Sequence, residues 1–415
     1  VTGPGRVLAG IAVGLWITAG VARGASGEDA EDAYDVIYEV RISPAKAAVV
    51  RLQVTQEGGL LRELRFELAP DRMYGFEAPG EVRRERGELV WRVPEAGGTL
   101  RYVAEIDHLR DPAEYDARCT ERWALFRGTD LIPPILATAR EGAHARARIR
   151  FRMPPGWRVV TPFEEIEPRV FRIEQRDRRL DTPRGWMIAG EELRILRAEI
   201  GEIGVVLAAP EQHEVRERDR LALLRWTLPA LQEIVGARPR RLVIVSADDP
   251  MWRGGLSGPD SMYLHAERPL IGDDGTSPLL HELIHVAMAA VPGENGDWIV
   301  EGLAELYSIE LLSRSGTISA DEAEAAFEGI RDDARAVDTL RVEHAAGAVT
   351  DRAVVVLHGL DALIRQRTDG AASLDDVLRR FVRREDEPVT PRALREHAEA
   401  VAGSSLDDFF AGHVD

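Results

Sequence analysis

Pro278-Leu-Leu-His281-Glu282-Leu-Ile-His285-Val-Ala-Met-Ala-Ala-Val291 carries three polar side chains in an otherwise apolar run. Apolar residues on nearly every side predict a buried helix. His281 and His285 are four residues apart, so they share one helix face and can grip one cation. Glu282 follows the first histidine and can lean toward a water on that cation as general base. A buried carboxylate and two buried imidazoles are costly without a partner. A bound metal satisfies all three.

A second helix supplies what the first lacks. In Trp298-Ile-Val-Glu301-Gly-Leu-Ala-Glu305-Leu-Tyr307-Ser308 the polar groups Glu301, Glu305 and Ser308 have i, i+4, i+7 spacing and share one face. Catalytic zinc normally takes three protein ligands and keeps one position for water. Glu301 is the expected third ligand, with one zinc per chain. Glu305, one turn later, is expected to hydrogen-bond a ligand imidazole from behind. A register in which Glu305 ligates and Glu301 does not is the alternative. Glu310 falls off the stripe, toward solvent. Fifteen residues separate His285 from Glu301. Pro292-Gly-Glu-Asn-Gly296 among them supplies the turn, and Asp297 is a candidate N-cap.

Outward from this pair, a chain of 415 residues is too long for one ordinary core. Stretches rich in β-branched and aromatic residues fill 34–107, and further strand-like pieces follow at 145–153, 170–174 and 193–208. They predict a β-rich, sandwich-like domain over 27–209. The pattern changes near Pro210: a helix is expected over 211–235, then a short buried strand, Arg241–Ser246, and a Gly/Pro/Asp-rich loop. The catalytic domain is expected over 210–315, and a helical C-terminal domain over 316–415. The whole reads as a multidomain α+β protein.

Composition excludes some partners. With a net charge of −18, the chain repels nucleic acid and anionic membrane surfaces. Cys119 is the only cysteine, so no internal disulfide forms. Arg6 precedes a glycine-interrupted apolar run to Ala22, the pattern of a secretory signal peptide over 1–25. The run is short for a bilayer span, and no second one follows. The mature chain is therefore expected to be exported, periplasmic or extracellular, with no integral membrane span. An uncleaved anchor is the alternative.

His281-Glu-Leu-Ile-His285 followed by Trp298-Ile-Val-Glu301-Gly-Leu-Ala-Glu-Leu-Tyr307 resembles the gluzincin pattern of thermolysin-like peptidases and aminopeptidases. In that pattern the glutamate of the Glu-Gly pair is the third zinc ligand, here Glu301. Gly254–Leu270 and the late segments 360–381 and 406–414 resemble the PDZ-associated glycyl aminopeptidases, although no PDZ-like segment follows. The resemblance implies a thermolysin-like catalytic domain, a peptide or protein substrate and a zinc-dependent metallopeptidase. Two departures bear on the substrate. Gly254-Gly255-Leu256-Ser257-Gly258 puts Ser257 where those aminopeptidases carry the glutamate that binds a free amine. No tyrosine follows Tyr307 to stabilise an oxyanion, which leaves His344 or His358 as substitutes. Gly255, Ser257, Tyr263 and His344 are the expected substrate contacts, with Ser261–Ala266 as an edge strand for an extended peptide. A zinc hydrolase of non-peptide amides and an exported zinc-binding scaffold are the competing readings.

Overall fold

The computed structural model describes residues 32–43, 46–68, 71–85, 87–174, 179–236, 239–383 and 387–414. The apolar leader expected over 1–25 lies outside them. Among the described residues no helix is long and apolar enough to cross a membrane.

The N-terminal region is built from three sheets. The largest has seven strands, with Ala33–Ser43 at its centre, antiparallel to Ala47–Thr55 and parallel to His144–Arg152. Strict alternation along Ala33–Ser43 buries Tyr34, Val36, Tyr38, Val40 and Ile42 on one face. They share a core with Leu64, Phe66 and Trp91 of a four-stranded sheet. A third sheet of five strands, including Trp123–Arg127 and Trp186–Gly190, is covered on both sides. Ala124, Phe126, Met187 and Ala189 join the N-terminal core. Their neighbours Trp123, Leu125, Trp186 and Ile188 face the other way. Period-two side chains thus weld two regions through one sheet.

What they meet is the sheet against which the helix of His281 and His285 packs. Its strands are β1 (Leu193–Ile200), β2 (Ile203–Pro210), β3 (Arg241–Val245), β4 (Gly255–Gly258) and β5 (Ser261–Leu264), in spatial order β1-β2-β3-β5-β4. β2, β3 and β5 are parallel; β1 and β4 run antiparallel at the two edges. Two sequence expectations are corrected here. The hairpin over 193–210 hydrogen-bonds to β3, so it belongs with this sheet and not with the β-rich domain drawn to 209. Ser261–Leu264 is not an edge strand, because β3 and β4 pair on its two sides. The edge is Gly255–Gly258.

Helix α1 (Glu217–Val235) crosses over between β2 and β3, beginning six residues later than its expected start at 211. Helix α2 (Pro278–Met288) has Ser277 as N-cap, whose hydroxyl accepts from Leu280 N, and Pro278 in the first turn. Its last residue, Met288, is three short of the expected run to 291, and Ala289 caps it in the left-handed conformation. Helix α3 (Asp297–Arg314) starts after Gly296, so Asp297 is the first helical residue and not the cap. Helices α4 (Ala320–Asp333), α5 (Ala348–Arg367), α6 (Leu374–Arg383), α7 (Pro391–Ala402) and α8 (Asp407–His413) complete the chain. They share one continuous core with α2, α3 and the helix-facing side of the sheet, represented by Leu207, Ile244 and Met262. Gly302 lets α5 approach α3, since a Cβ there would lie 2.7 Å from Ala353 Cβ. The turn between α2 and α3 is clasped by the C-terminal region: Gly293 N donates to Val389 O (2.8 Å) and Val389 N to Val291 O (2.9 Å).

Candidate metal centre

α2 and α3 pack so that His281, His285 and Glu301 converge, each offering a ligand atom within 4.8 Å of the others. His281 Nε2 lies 3.1 Å from His285 Nε2. The Glu301 carboxylate spans both, at 3.3 Å from His281 Nε2 and 3.5 Å from His285 Nε2. Behind His281, Glu305 Oε2 is 2.7 Å from Nδ1. A carboxylate there accepts the Nδ1 proton, which leaves the Nε2 lone pair free to bind a metal.

The electrostatics call for a cation. Burial works against a charge on His281, but hydrogen bonds to Glu301 and Glu305 outweigh it and push the imidazole up to about 10. Burial likewise raises Glu301, yet its bonds to His281 and His285 prevail and hold it down at about 2. Without a metal, a proton on His281 serves as the positive charge between two carboxylates. The two nitrogens and one carboxylate are the donor set of a catalytic zinc site, and the residues fit that metal.

Glu282 points from α2 toward the edge strand. A Cβ on Gly255 would stand 2.8 Å from its Cγ, so only glycine gives the carboxylate this berth. Burial raises its pKa, while the His281 and His285 imidazoles and a hydrogen bond from the Ser257 backbone N–H pull it down, leaving it above the ordinary carboxylate range. All of these groups line one cavity of about 2330 Å³.

The other expected contacts divide. Gly255, Ser257 and His344 line that cavity. His344 sits on the loop before α5, which is tethered where Ala345 N donates to Asp297 Oδ2 at 2.7 Å. Tyr263 is corrected: it is buried, packed against Trp186, and its hydroxyl donates to Trp252 O, so it does not reach the cavity. Its position on an inner strand, flanked on both sides, is the reason. His358 stacks on Phe327 in the helical core and is not in the cavity wall either. Glu310 pairs with Arg314 at 2.9 Å, away from the centre. Arg110 and Trp252, which no local motif singles out, do line the cavity.

The fold is that of the M1 zinc metallopeptidases. The aminopeptidase N family protein of Idiomarina loihiensis matches with a TM-score of 0.63 at 14% identity, over 92% of this chain and 74% of that one. The M1 zinc metallopeptidase of Deinococcus radiodurans matches with a TM-score of 0.59 at 16% identity, over 92% and 93% of the two chains. A mutant of that enzyme bound to a Tyr-Ser-Ala substrate gives 0.60 at 17% identity, again over 92% and 93%. No family model matches this sequence, and no curated protein does.

Proposed function

We propose that this chain is an exported zinc-dependent peptidase in which His281, His285 and Glu301 hold one metal ion and Glu282 is the general base. The observation that carries the reading is the convergence of two imidazole Nε2 atoms and the Glu301 carboxylate beside a buried fourth acid. A purely structural zinc site closes its coordination with a fourth protein ligand; three donors facing a large cavity leave room for substrate. Zinc bound there would polarise a substrate carbonyl and make water acidic near neutral pH.

The protein's own groups do the rest. Glu282, raised in pKa by burial against the edge strand, is suited to take a proton from the attacking water and return it to the leaving amine. Edge strand β4 offers unpaired backbone groups along the cavity, so an extended peptide can add as a further strand beside Glu282. His344, on the opposite side of the chain order, is the candidate to stabilise the oxyanion. Bound Tyr-Ser-Ala in the Deinococcus structure supports a peptide substrate for this fold. The likeness of Gly254–Leu270 to glycyl aminopeptidases supports the same reading, with Ser257 altering what happens at the amine.

Turnover of a mixed peptide library by the zinc-loaded protein tests this. Cleavage that disappears in Glu282→Gln is the expected result. A library left intact by zinc-replete protein speaks for the scaffold reading instead.

A further inference from the structure

Building on the peptidase reading, we infer that the β-rich region supplies a carboxylate-binding subsite for the substrate, formed by Arg110 laid over Trp252 on the wall of the metal cavity. The Arg110 Cζ lies 3.6 Å from the centre of the Trp252 ring, and both residues line the cavity that holds His281, His285 and Glu301.

The backbone fixes this pair. Arg110 N donates to Glu114 O, which closes the tip of its loop. That loop is stitched to the segment before β4, since Tyr115 N donates to Pro250 O and Trp252 N to Tyr115 O, each at 2.9 Å. Trp252 is held further by its carbonyl, which accepts from the Tyr263 hydroxyl at 2.8 Å. Its ring lies so close over Gly254 that a Cβ there would collide with it. The next residue, Gly255, opens β4 and touches Glu282. One short stretch therefore runs from the Arg110 platform to the general base.

Charge favours an anion at this spot. Among the described residues Asp116 is the one carboxylate within ion-pair distance of Arg110, and its Oδ1 is 3.7 Å away, too far for a hydrogen bond. The guanidinium N–H groups thus remain available. Stacking on indole holds the planar fork and presents its edge, the geometry that suits a carboxylate. The cavity wall from this region carries five arginines; Arg146 pairs with Asp35 and Arg172 with Glu164 and Glu174, so Arg110, Arg148 and Arg184 set its positive sign, whereas the helical wall is acidic. In a chain with a net charge of −18, this wall is a local reversal of sign. The carboxylate could come from a Glu or Asp side chain of the peptide or from its free C-terminus.

Calorimetry on zinc-loaded Glu282→Gln protein tests the subsite without turnover. Four matched peptides would be compared: Glu against Gln at one internal position, and free acid against amide at the C-terminus. One of the two exchanges should tighten binding by about 10-fold, as a charge-assisted bond does. Adding Arg110→Gln should bring that ratio below about 2, and Arg110→Lys should keep part of it, because lysine preserves the charge but not the fork. The exchange that responds identifies the source of the carboxylate. Ratios near one in the parent overturn the proposal. So does an undiminished ratio in Arg110→Gln of native far-UV spectrum and zinc content, or failure of all four peptides to bind. Wild-type turnover of the same peptides is read separately: its absence would count against the peptidase reading, while the binding ratios still judge Arg110.

Discussion

Glu305 Oε2 stands 2.7 Å from Nδ1 of His281, while Nε2 of the same ring lies 3.3 Å from Glu301. Two carboxylates one helical turn apart on α3 therefore take opposite edges of one imidazole. With a metal on Nε2, Glu305 would fix the ring's tautomer and raise its basicity without occupying the metal position. Glu305→Ala should weaken zinc affinity by about 10- to 100-fold, as loss of such partners does elsewhere. Competition against a chromophoric chelator measures it, and an unchanged affinity would remove Glu305 from this role.

Zinc binding should also depend on pH. His281 in the metal-free protein is pushed up to about 10, so below that pH the metal must displace its proton. Affinity therefore rises with pH, by about a decade per unit, and levels off as pH passes the histidine's value. Titrations in buffers of different ionisation enthalpy should show close to one proton released per zinc at neutral pH. Zero release there would mean that His281 is already neutral in the empty site.

Gly255 separates catalysis from metal binding. A methyl group there would sit 2.8 Å from Glu282 Cγ and 2.9 Å from Oε1, so Gly255→Ala must move the carboxylate. The three atoms nearest that methyl all belong to Glu282, and none to His281 or His285. Turnover should fall by about 100-fold, the cost of a displacement near 1 Å at a reacting group, while elemental analysis finds zinc retained. Zinc loss in this variant would show that Gly255 supports the whole helix and not Glu282 alone.

Much of the centre was legible in the sequence, because helix periodicity is local. Four-residue spacing places His281 beside His285 and Glu301 beside Glu305, and the structure brings those four together. Sheet pairing is not local. Trp123–Arg127 and Trp186–Gly190 are packed on both faces, so they show none of the alternation that marks the Ala33–Ser43 strand. Gly255-Leu-Ser-Gly258 has no strand propensity of its own and is ordered by pairing with β5. Tyr263 is hidden for the same cause, since nothing in Ser261–Leu264 reveals that it lies between two other strands. Arg110 meets Trp252 across more than a hundred residues of chain, which no spacing rule captures.

Ser257 bears on substrate choice at the other end. Its side chain is a neutral hydroxyl, so this position offers no carboxylate for a protonated amine. Peptides with acetylated amino termini should be cleaved at least as well as free ones, judged by kcat/KM on matched pairs. A preference for the free amine of about 10-fold, or about 1.4 kcal/mol, would show that another acid of the cavity has taken that role.

The central claim is that three side chains hold the metal and a fourth does the proton transfer. Zinc content measured beside peptide turnover, for His281→Ala, His285→Ala, Glu301→Ala and Glu282→Ala, addresses it most directly. The first three should each lose both zinc and activity. Glu282→Ala should keep one zinc per chain and lose activity alone. Full zinc in Glu301→Ala together with loss in Glu305→Ala would contradict the assignment and move the third ligand one turn along α3.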